Sequence, residues 1–117
     1  MIPLVLAAAL FLSAPTVKVH ANLGGHGQGS FSGTYDVKNG RGDFLWTILF
    51  FNVGRASRAD IRVGENVLFP LCAPCKVAQS GRTKLTKRGM RLLESGQASV
   101  VVVGARGELR GRVVTRH

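Results

Sequence analysis

The chain has 117 residues, a length that suits a single domain. Hydrophobic residues make up 45% of it, which argues against a wholly disordered chain. Lys and Arg number 16 against 6 Asp and Glu, and the formal charge of +10 favours anionic partners. The three histidines are His20, His26 and His117, all near a terminus, so most histidine-based catalytic and metal sites are difficult to build.

The N-terminal segment is typical of a secretory signal peptide. Residues 2–14 carry no charge and are fewer than the roughly 20 that span a bilayer as a helix. Val19-His20-Ala21 offers small residues to a signal peptidase, so we expect residues 1–21 to be removed. Residues 22–117 then form one domain with a core over about 29–114, and the protein is secreted or periplasmic without a transmembrane span. A buried N-terminal helix or an uncleaved anchor is the alternative.

Cys72 and Cys75 form a Cys-x-x-Cys pair. In an oxidising compartment a local disulfide is the expected state of such a pair. A thioredoxin-like redox site would need the motif at the start of a helix that follows a strand, whereas here it enters a polar loop. A zinc site would need two more ligands, and no other Cys or His lies near. We therefore predict a structural disulfide.

The first half of the mature chain has the pattern of β-strands. Residues 22–29 are Gly-rich and predict a flexible lead-in. Apolar and polar residues alternate over 30–37, which predicts a half-buried strand, and Asn39-Gly40 predicts a hairpin turn after it. Residues 43–53 contain the run FLWTILFF and predict a central strand that is covered on both faces. Further short strands are expected at 60–63, 67–72 and 82–85.

The second half contains the one convincing helix. Thr86 has the chemistry of an N-cap, residues 87–95 follow as the helix, and Gly96 ends it. Consecutive valines predict a buried strand over 98–103, and alternation returns over 108–114. Six or seven short strands and one short helix predict a mainly β domain, an antiparallel sandwich or a barrel-like fold.

Four short motifs follow one another in chain order. They are Ala59-Asp60-Ile61-Arg62-Val63-Gly64, Leu71-Cys72, the stretch from Leu85-Thr86 to Leu92-Leu93-Glu94-Ser95-Gly96, and Gly107-Glu108-Leu109-Arg110-Gly111-Arg112. Together they resemble the CHRD domain, which is named from chordin and is widespread in secreted bacterial proteins. The resemblance covers about Gly29 to Val114. Since chordin holds growth factors, the resemblance implies protein binding for the family but not for this member.

The chain departs from this family where the family has histidines. Its His-x-His pair corresponds to Asp60 and Arg62 here, and its third histidine falls on Val103. Three histidines on neighbouring strands could bind zinc or copper. Arg62 cannot lose its proton and Asp60 alone leaves too few ligands, so we expect no metal and no other cofactor.

Charged residues give two further predictions. Glu108 and Arg110 are two positions apart on a predicted strand and share a face, so we expect a structural ion pair. The basic residues that fall at i, i+3, i+4 and i+7 would share one helical face if the helix began a turn early. These candidate anion-binding residues are Lys84, Lys87, Arg88 and Arg91.

The partner of such a basic face is anionic. An anionic polysaccharide, lipid headgroups or an extracellular protein would fit, while nucleic acid fits poorly because no stacking aromatics interleave with the charges. A solvated surface without a partner is the alternative. Arg41-Gly42-Asp43 is an RGD tripeptide on the predicted hairpin, but a three-residue match is weak support for adhesion.

The sequence favours a binding protein over an enzyme. The mature histidines lie in the tails, so no Ser/His/Asp or Cys/His constellation can be assembled, and no spacing singles out a pair of carboxylates. We predict a secreted or periplasmic, non-enzymatic binding or structural module. A metal-dependent or thiol-redox enzyme is the alternative.

Overall fold

The computed structural model describes residues 16–36 and 42–116. Within them the chain forms β1 (Thr16–Gly25), β2 (Gln28–Asp36), β3 (Gly42–Phe51), β4 (Ala56–Val63), β5 (Asn66–Cys72), β6 (Ala78–Leu85), helix α1 (Lys87–Glu94), β7 (Ala98–Gly104), β8 (Gly107–Arg112) and β9 (Val114–Arg116). The predicted mainly β class with one short helix is confirmed, although the strand count was predicted too low. No helix in the described ranges has the length and apolar character needed to cross a membrane.

The strands form one antiparallel sheet that curls almost into a barrel. Its order is β5-β4-β7-β8-β1-β2-β3-β6, and β9 adds to β1. The curl brings β3 near β5, so that the rings of Phe44 and Phe69 meet edge to face with centroids 5.9 Å apart. Phe44 also contacts Phe31 and Tyr35, each at 6.0 Å, and these aromatic rings fill the middle of the interior.

Strand β3 shows how the barrel sorts its side chains. Phe44, Trp46, Ile48 and Phe50 are buried inside, while the side chains between them point outward. The prediction that this strand is covered on both faces was therefore wrong. A single curled sheet has only one interior, and the outer face of β3 is exposed. The run FLWTILFF consequently leaves apolar side chains exposed at alternate positions.

Strand β1 begins earlier than the sequence indicated. The predicted flexible lead-in of 22–29 lies instead in β1, in β2 and in the short connection between them. Residues 16–21, which were assigned to the signal peptide, form the first part of β1, and Val17, Val19 and Ala21 are buried in the core. The predicted cleavage after Ala21 would cut this strand. Cleavage itself, and the domain boundary that depends on it, stay predictions.

Each end of the barrel is covered by a crossing connection. Strands β3 and β4 are not neighbours in the sheet, so residues 52–55 cross one mouth, where Val53 is buried. Helix α1 joins β6 to β7 across the other mouth and buries Met90 and Leu93 there. The predicted hairpin turn at Asn39-Gly40 lies outside the described residues, although β2 and β3 on either side of it are antiparallel neighbours.

Candidate functional site

Helix α1 is held by its caps and by one buried face. The Thr86 hydroxyl accepts a hydrogen bond from the backbone N–H of Gly89 at 3.1 Å, as the predicted N-cap requires. Gly96 follows the helix with a positive φ of 82°, the left-handed conformation that glycine adopts without strain. Because both ends are fixed and the inner face is buried, the outer face has a defined orientation.

Tyr35 anchors the helix from below. Its hydroxyl donates a hydrogen bond to the backbone carbonyl of Met90 at 3.3 Å. Burial raises the pKa of Tyr35, and the negative charge of Glu94 and a hydrogen bond with that residue raise it further. The hydroxyl therefore stays protonated and continues to donate well above neutral pH.

The outer face of the helix carries three exposed cations, Lys87, Arg88 and Arg91, which we call the basic helix face. Among the described residues, no carboxylate lies within 4.0 Å of any of them. Lys87 and Arg88 occupy the first turn, which holds no acidic residue. The helix dipole and the free N–H groups there already favour negative charge, so cations at these positions weaken the helix. The face thus concentrates positive potential at some cost in local stability.

Lys84 does not belong to this face. The sequence placed it one turn ahead on the same helix, but Thr86 has extended backbone geometry and the helix begins only at Lys87. Lys84 lies in β6 and pairs in register with Asp43 of β3. The N-cap decides the matter, because a Thr side chain that caps a helix must itself stand outside it.

A second group of charged residues lies on the outer surface of β4. Asp60 and Arg62 are only 4% and 8% exposed. Arg62 Nε donates to Asp60 Oδ1 at 2.6 Å, and Arg62 Nη2 reaches Asp60 Oδ2 at 3.4 Å. This hydrogen bond is the main reason that the pKa of Arg62 is raised above its ordinary value. Such a charge-assisted pair is strong because both partners are largely removed from water.

Glu108 and Arg110 contact one another on β8. Arg110 Nε lies 3.5 Å from Glu108 Oε1, and the Arg110 guanidinium also lies 3.9 Å from Glu65. Both side chains are partly exposed, so each contact is screened and contributes little alone. Together these contacts give a mixed-charge surface beside the Asp60–Arg62 pair, with opposite charges close to balance.

The first and last motifs of the family resemblance lie on either side of β7. Strand β7 pairs with β4 on one edge and with β8 on the other. Val101 stands opposite Asp60, whereas Val103 stands opposite Arg58. The described residues contain no group of three or more His, Cys, Asp and Glu side chains placed to hold a metal ion.

Cys72 and Cys75 are joined by a disulfide, as predicted, with an S–S distance of 2.06 Å. The bond ties the end of β5 to the connection that leads into β6. The backbone N–H of Cys75 donates to the carbonyl of Ala56 at 3.1 Å, which fixes this connection to the start of β4. The cysteines therefore lie at the end of the barrel opposite to helix α1.

The RGD tripeptide is only partly described. Arg41 lies outside the described residues, while Gly42 and Asp43 are the first residues of β3. Asp43 is exposed and lies 3.8 Å from the guanidinium of Arg82. The Asp43 carboxylate thus lies near a cation of the neighbouring strand β6.

The sequence reasoning missed the burial of Asp60 and Arg62. Opposite charges at i and i+2 on a predicted strand share a face, and this spacing could have indicated the pair. Its burial could not have been found in the same way, because the neighbouring strand β7 comes some 40 residues later in the chain.

Comparison of the chain with protein-family models, with curated proteins and with solved structures found no match. The functional interpretation therefore depends on the surfaces described above.

Proposed function

We propose that the protein is a secreted or periplasmic, CHRD-like, non-enzymatic binding module that docks on an anionic polysaccharide through the basic helix face. The observation that carries the proposal is the group of three exposed cations, Lys87, Arg88 and Arg91, on a helix fixed at both ends. A surface that serves only solubility mixes both signs of charge. These three cations have no carboxylate within 4.0 Å among the described residues.

The rest of the proposal draws on wider features of the chain. The order of the four motifs supports the CHRD likeness, and a disulfide is typical of proteins that leave the reducing cytosol. The largely charge-balanced surface around Asp60 and Arg110 suits a structural role better than docking. The basic helix face is therefore the better candidate for contact with an anion.

A polysaccharide is the partner that this face suits best. Neighbours at i, i+3 and i+4 on a helix lie about 5–6 Å apart, so the cations can contact successive acidic groups of one chain. Arginine binds sulfate or carboxylate with two parallel hydrogen bonds. The outward side chains of α1 include no large exposed hydrophobic residue, so insertion into a bilayer has no support at this face.

Retention on immobilised heparin, a sulfated polysaccharide, tests the proposal. The helix variant combines Lys87→Glu, Arg88→Glu and Arg91→Glu, and we expect it to elute far earlier in a salt gradient than the wild type. The attraction is Coulombic and is screened as the Debye length falls from about 10 Å at 0.1 M salt to about 3 Å at 1 M.

The matched control reverses three exposed cations on the outer wall of the barrel, away from both of its ends' cation groups, and we call it the wall control. It combines Lys18→Glu, Arg82→Glu and Arg112→Glu, which changes the net charge by the same amount. We expect this control to keep most of its retention. Equal loss in both variants would mean that only net charge matters, and it would overturn the proposal.

A further inference from the structure

The barrel end opposite to helix α1 forms a single packed surface, which we call the loop end. It consists of four connections, residues 26–27, 52–55, 73–77 and 105–106. Backbone hydrogen bonds join them across the barrel mouth. Arg106 N–H donates to the Val53 carbonyl at 2.8 Å, and Ala105 N–H donates to the Arg55 carbonyl at 2.9 Å. Because the disulfide and the Cys75–Ala56 bond fix the third connection as well, the loop end is preorganised.

The charges of the loop end all have one sign. Its three charged residues are Arg55, Lys76 and Arg106, and all are exposed. None of the four connections contains Asp or Glu. Among the described residues, no carboxylate lies within 4.0 Å of these three side chains. The loop end is therefore positively charged without compensation, and it suits an anionic partner.

Exposed apolar side chains lie beside these cations. Phe51, the last residue of β3, is 46% exposed, and Val77, next to Lys76, is 53% exposed. They lie on adjacent backbone segments at this end, because the backbone N–H of Phe50 donates to the carbonyl of Val77 at 3.0 Å. The fold does not bury either side chain, although each would gain from leaving water. An aromatic ring and an aliphatic side chain among cations are typical of surfaces that enter a membrane interface.

We propose that the loop end docks on a bilayer containing anionic phospholipids. Arg55, Lys76 and Arg106 contact the headgroup phosphates, while Phe51 and Val77 enter the boundary between headgroups and acyl chains. A free polyanion would be attracted by the same cations but would leave the two apolar side chains in water. The apolar pair is therefore what favours a lipid surface over a polymer at this end.

Docking at the loop end is independent of the basic helix face. A strand of seven residues spans roughly 23 Å, and the tilt of strands in a barrel shortens this only in part. The two ends are thus separated by about two Debye lengths at physiological salt, where that length is about 8 Å. A molecule held on a bilayer by its loop end would present the basic helix face to the solution.

Co-sedimentation of the full-length chain with lipid vesicles tests the proposal. One set of vesicles contains phosphatidylcholine alone, and the other also contains 30 mol% phosphatidylserine, which makes about one lipid in three anionic. The loop charge variant combines Arg55→Gln, Lys76→Gln and Arg106→Gln. Each cation near an anionic surface strengthens partition by about fivefold, so we expect a loss of about 100-fold. The matched control, Lys18→Gln, Arg82→Gln and Arg112→Gln on the outer wall of the barrel, should bind these vesicles like the wild type.

Two further variants test whether the apolar side chains enter the bilayer. Phe51→Ser with Val77→Ser should bind about tenfold less while keeping its preference for phosphatidylserine. In Phe51→Trp the new indole should shift its emission to the blue on anionic vesicles and be quenched by lipids brominated along the acyl chain. Trp46 is buried, so it contributes a constant background. Thermal unfolding of each variant checks that the fold is retained.

Several results would overturn the proposal. The first is a wild type that binds no vesicles or binds both compositions equally. The second is a loop charge variant that binds like the wild type. The third is an indole emission in Phe51→Trp that does not respond to lipid. An equal loss in the variant of the outer wall would mean that vesicle binding depends on net charge alone. If the loop charge variant lost heparin retention but kept vesicle binding, the partner at this end would be a polymer. A helix variant that is retained on heparin like the wild type would instead contradict only the proposed function.

Discussion

At the scale of single residues, the buried Asp60–Arg62 pair is the feature that we expect to be most sensitive to substitution. Both side chains are nearly excluded from solvent, and each satisfies the other through the 2.6 Å hydrogen bond. Loss of one partner of a buried pair leaves an uncompensated charge, whereas loss of both can be close to neutral. The pair therefore makes each of its members necessary while adding little net stability itself.

We expect Asp60→Asn to lower the free energy of unfolding by about 3 kcal/mol, because Arg62 loses its counter-charge while it remains buried. Urea denaturation measures the change. The double variant Asp60→Val with Arg62→Val should lie closer to the wild type, since two β-branched residues then pack beside Val101 on the strand. Substitutions at surface sites usually change the free energy of unfolding by less than about 0.5 kcal/mol. A change that small in Asp60→Asn would contradict this expectation.

Tyr35 makes the stability of the folded protein depend on pH in the alkaline range. Its pKa is raised in the folded state, chiefly by burial, so the folded protein keeps the proton at a pH where the unfolded chain loses it. Stability from this group is therefore complete below the ordinary tyrosine pKa of about 10 and falls as pH rises above it, by up to about 1.4 kcal/mol per pH unit. Tyr35→Phe should remove this part of the slope.

The measurement is unusually direct because Tyr35 is the only tyrosine in the chain. The absorbance change of the phenolate in the near ultraviolet reports this residue alone in folded protein. An ordinary titration midpoint in folded protein, or a pH slope that is unchanged in Tyr35→Phe, would mean that the hydroxyl is not held under the helix.

At the scale of elements, β1 is the strand on which the sheet depends. It pairs with β2 through nine residue pairs and with β9 through three. A chain that starts at Asn22 should be less stable than a chain that starts at Thr16, because it lacks six of the β1–β2 pairs and all three with β9. Near-ultraviolet circular dichroism of the two chains compares them. Equal thermal unfolding midpoints for the two chains would show that these pairs are dispensable.

The disulfide closes a very short loop and contributes modestly. The double variant Cys72→Ser with Cys75→Ser should lose about 1 kcal/mol of unfolding free energy, near the low end of the range for disulfides. Thermal unfolding with and without a reductant provides the comparison, since reduction of the wild type should reproduce the variant. A loss above about 3 kcal/mol would mean that the bond holds the whole loop end together rather than one connection.

Elements defined by local chemistry were predictable from the sequence. The helix bounds were right to within a residue, because the Thr86 hydroxyl caps one end and Gly96, which lacks a Cβ, adopts the positive φ that ends the other. The disulfide followed from a spacing of three residues. Strand β1 was missed because its first residues continue an apolar segment typical of a signal peptide, and alternation alone could not separate the two.

Surfaces defined by topology could not be predicted. The cations of the loop end are separated by 20 to 30 residues along the chain, and only the strand order brings Arg55, Lys76 and Arg106 to one end. The exposure of the outward apolar residues of β3 could not be predicted either, because composition does not show how many layers cover a strand. The candidate helix face was predictable except at Lys84, where the N-cap decides.

At the scale of the whole molecule, the charge of +10 is distributed rather than uniform. Helix α1 presents the basic helix face at one end of the barrel, and the loop end presents cations with apolar side chains at the other. Between them, the outer surface of β4, β7 and β8 pairs most of its charges. Opposite ends with different chemistry suit a module that meets two different anionic partners.

The central claim is that the basic helix face, rather than net charge, binds an anionic polysaccharide. The most direct measurement is the dissociation constant of a fluorescent heparin oligosaccharide across a series of salt concentrations. Each ion contact that releases a counterion contributes about one to the slope of log affinity against log salt. The helix variant should lose about two to three from that slope, whereas the wall control, which has the same net charge, should keep it. Equal slopes in the two variants would contradict the claim.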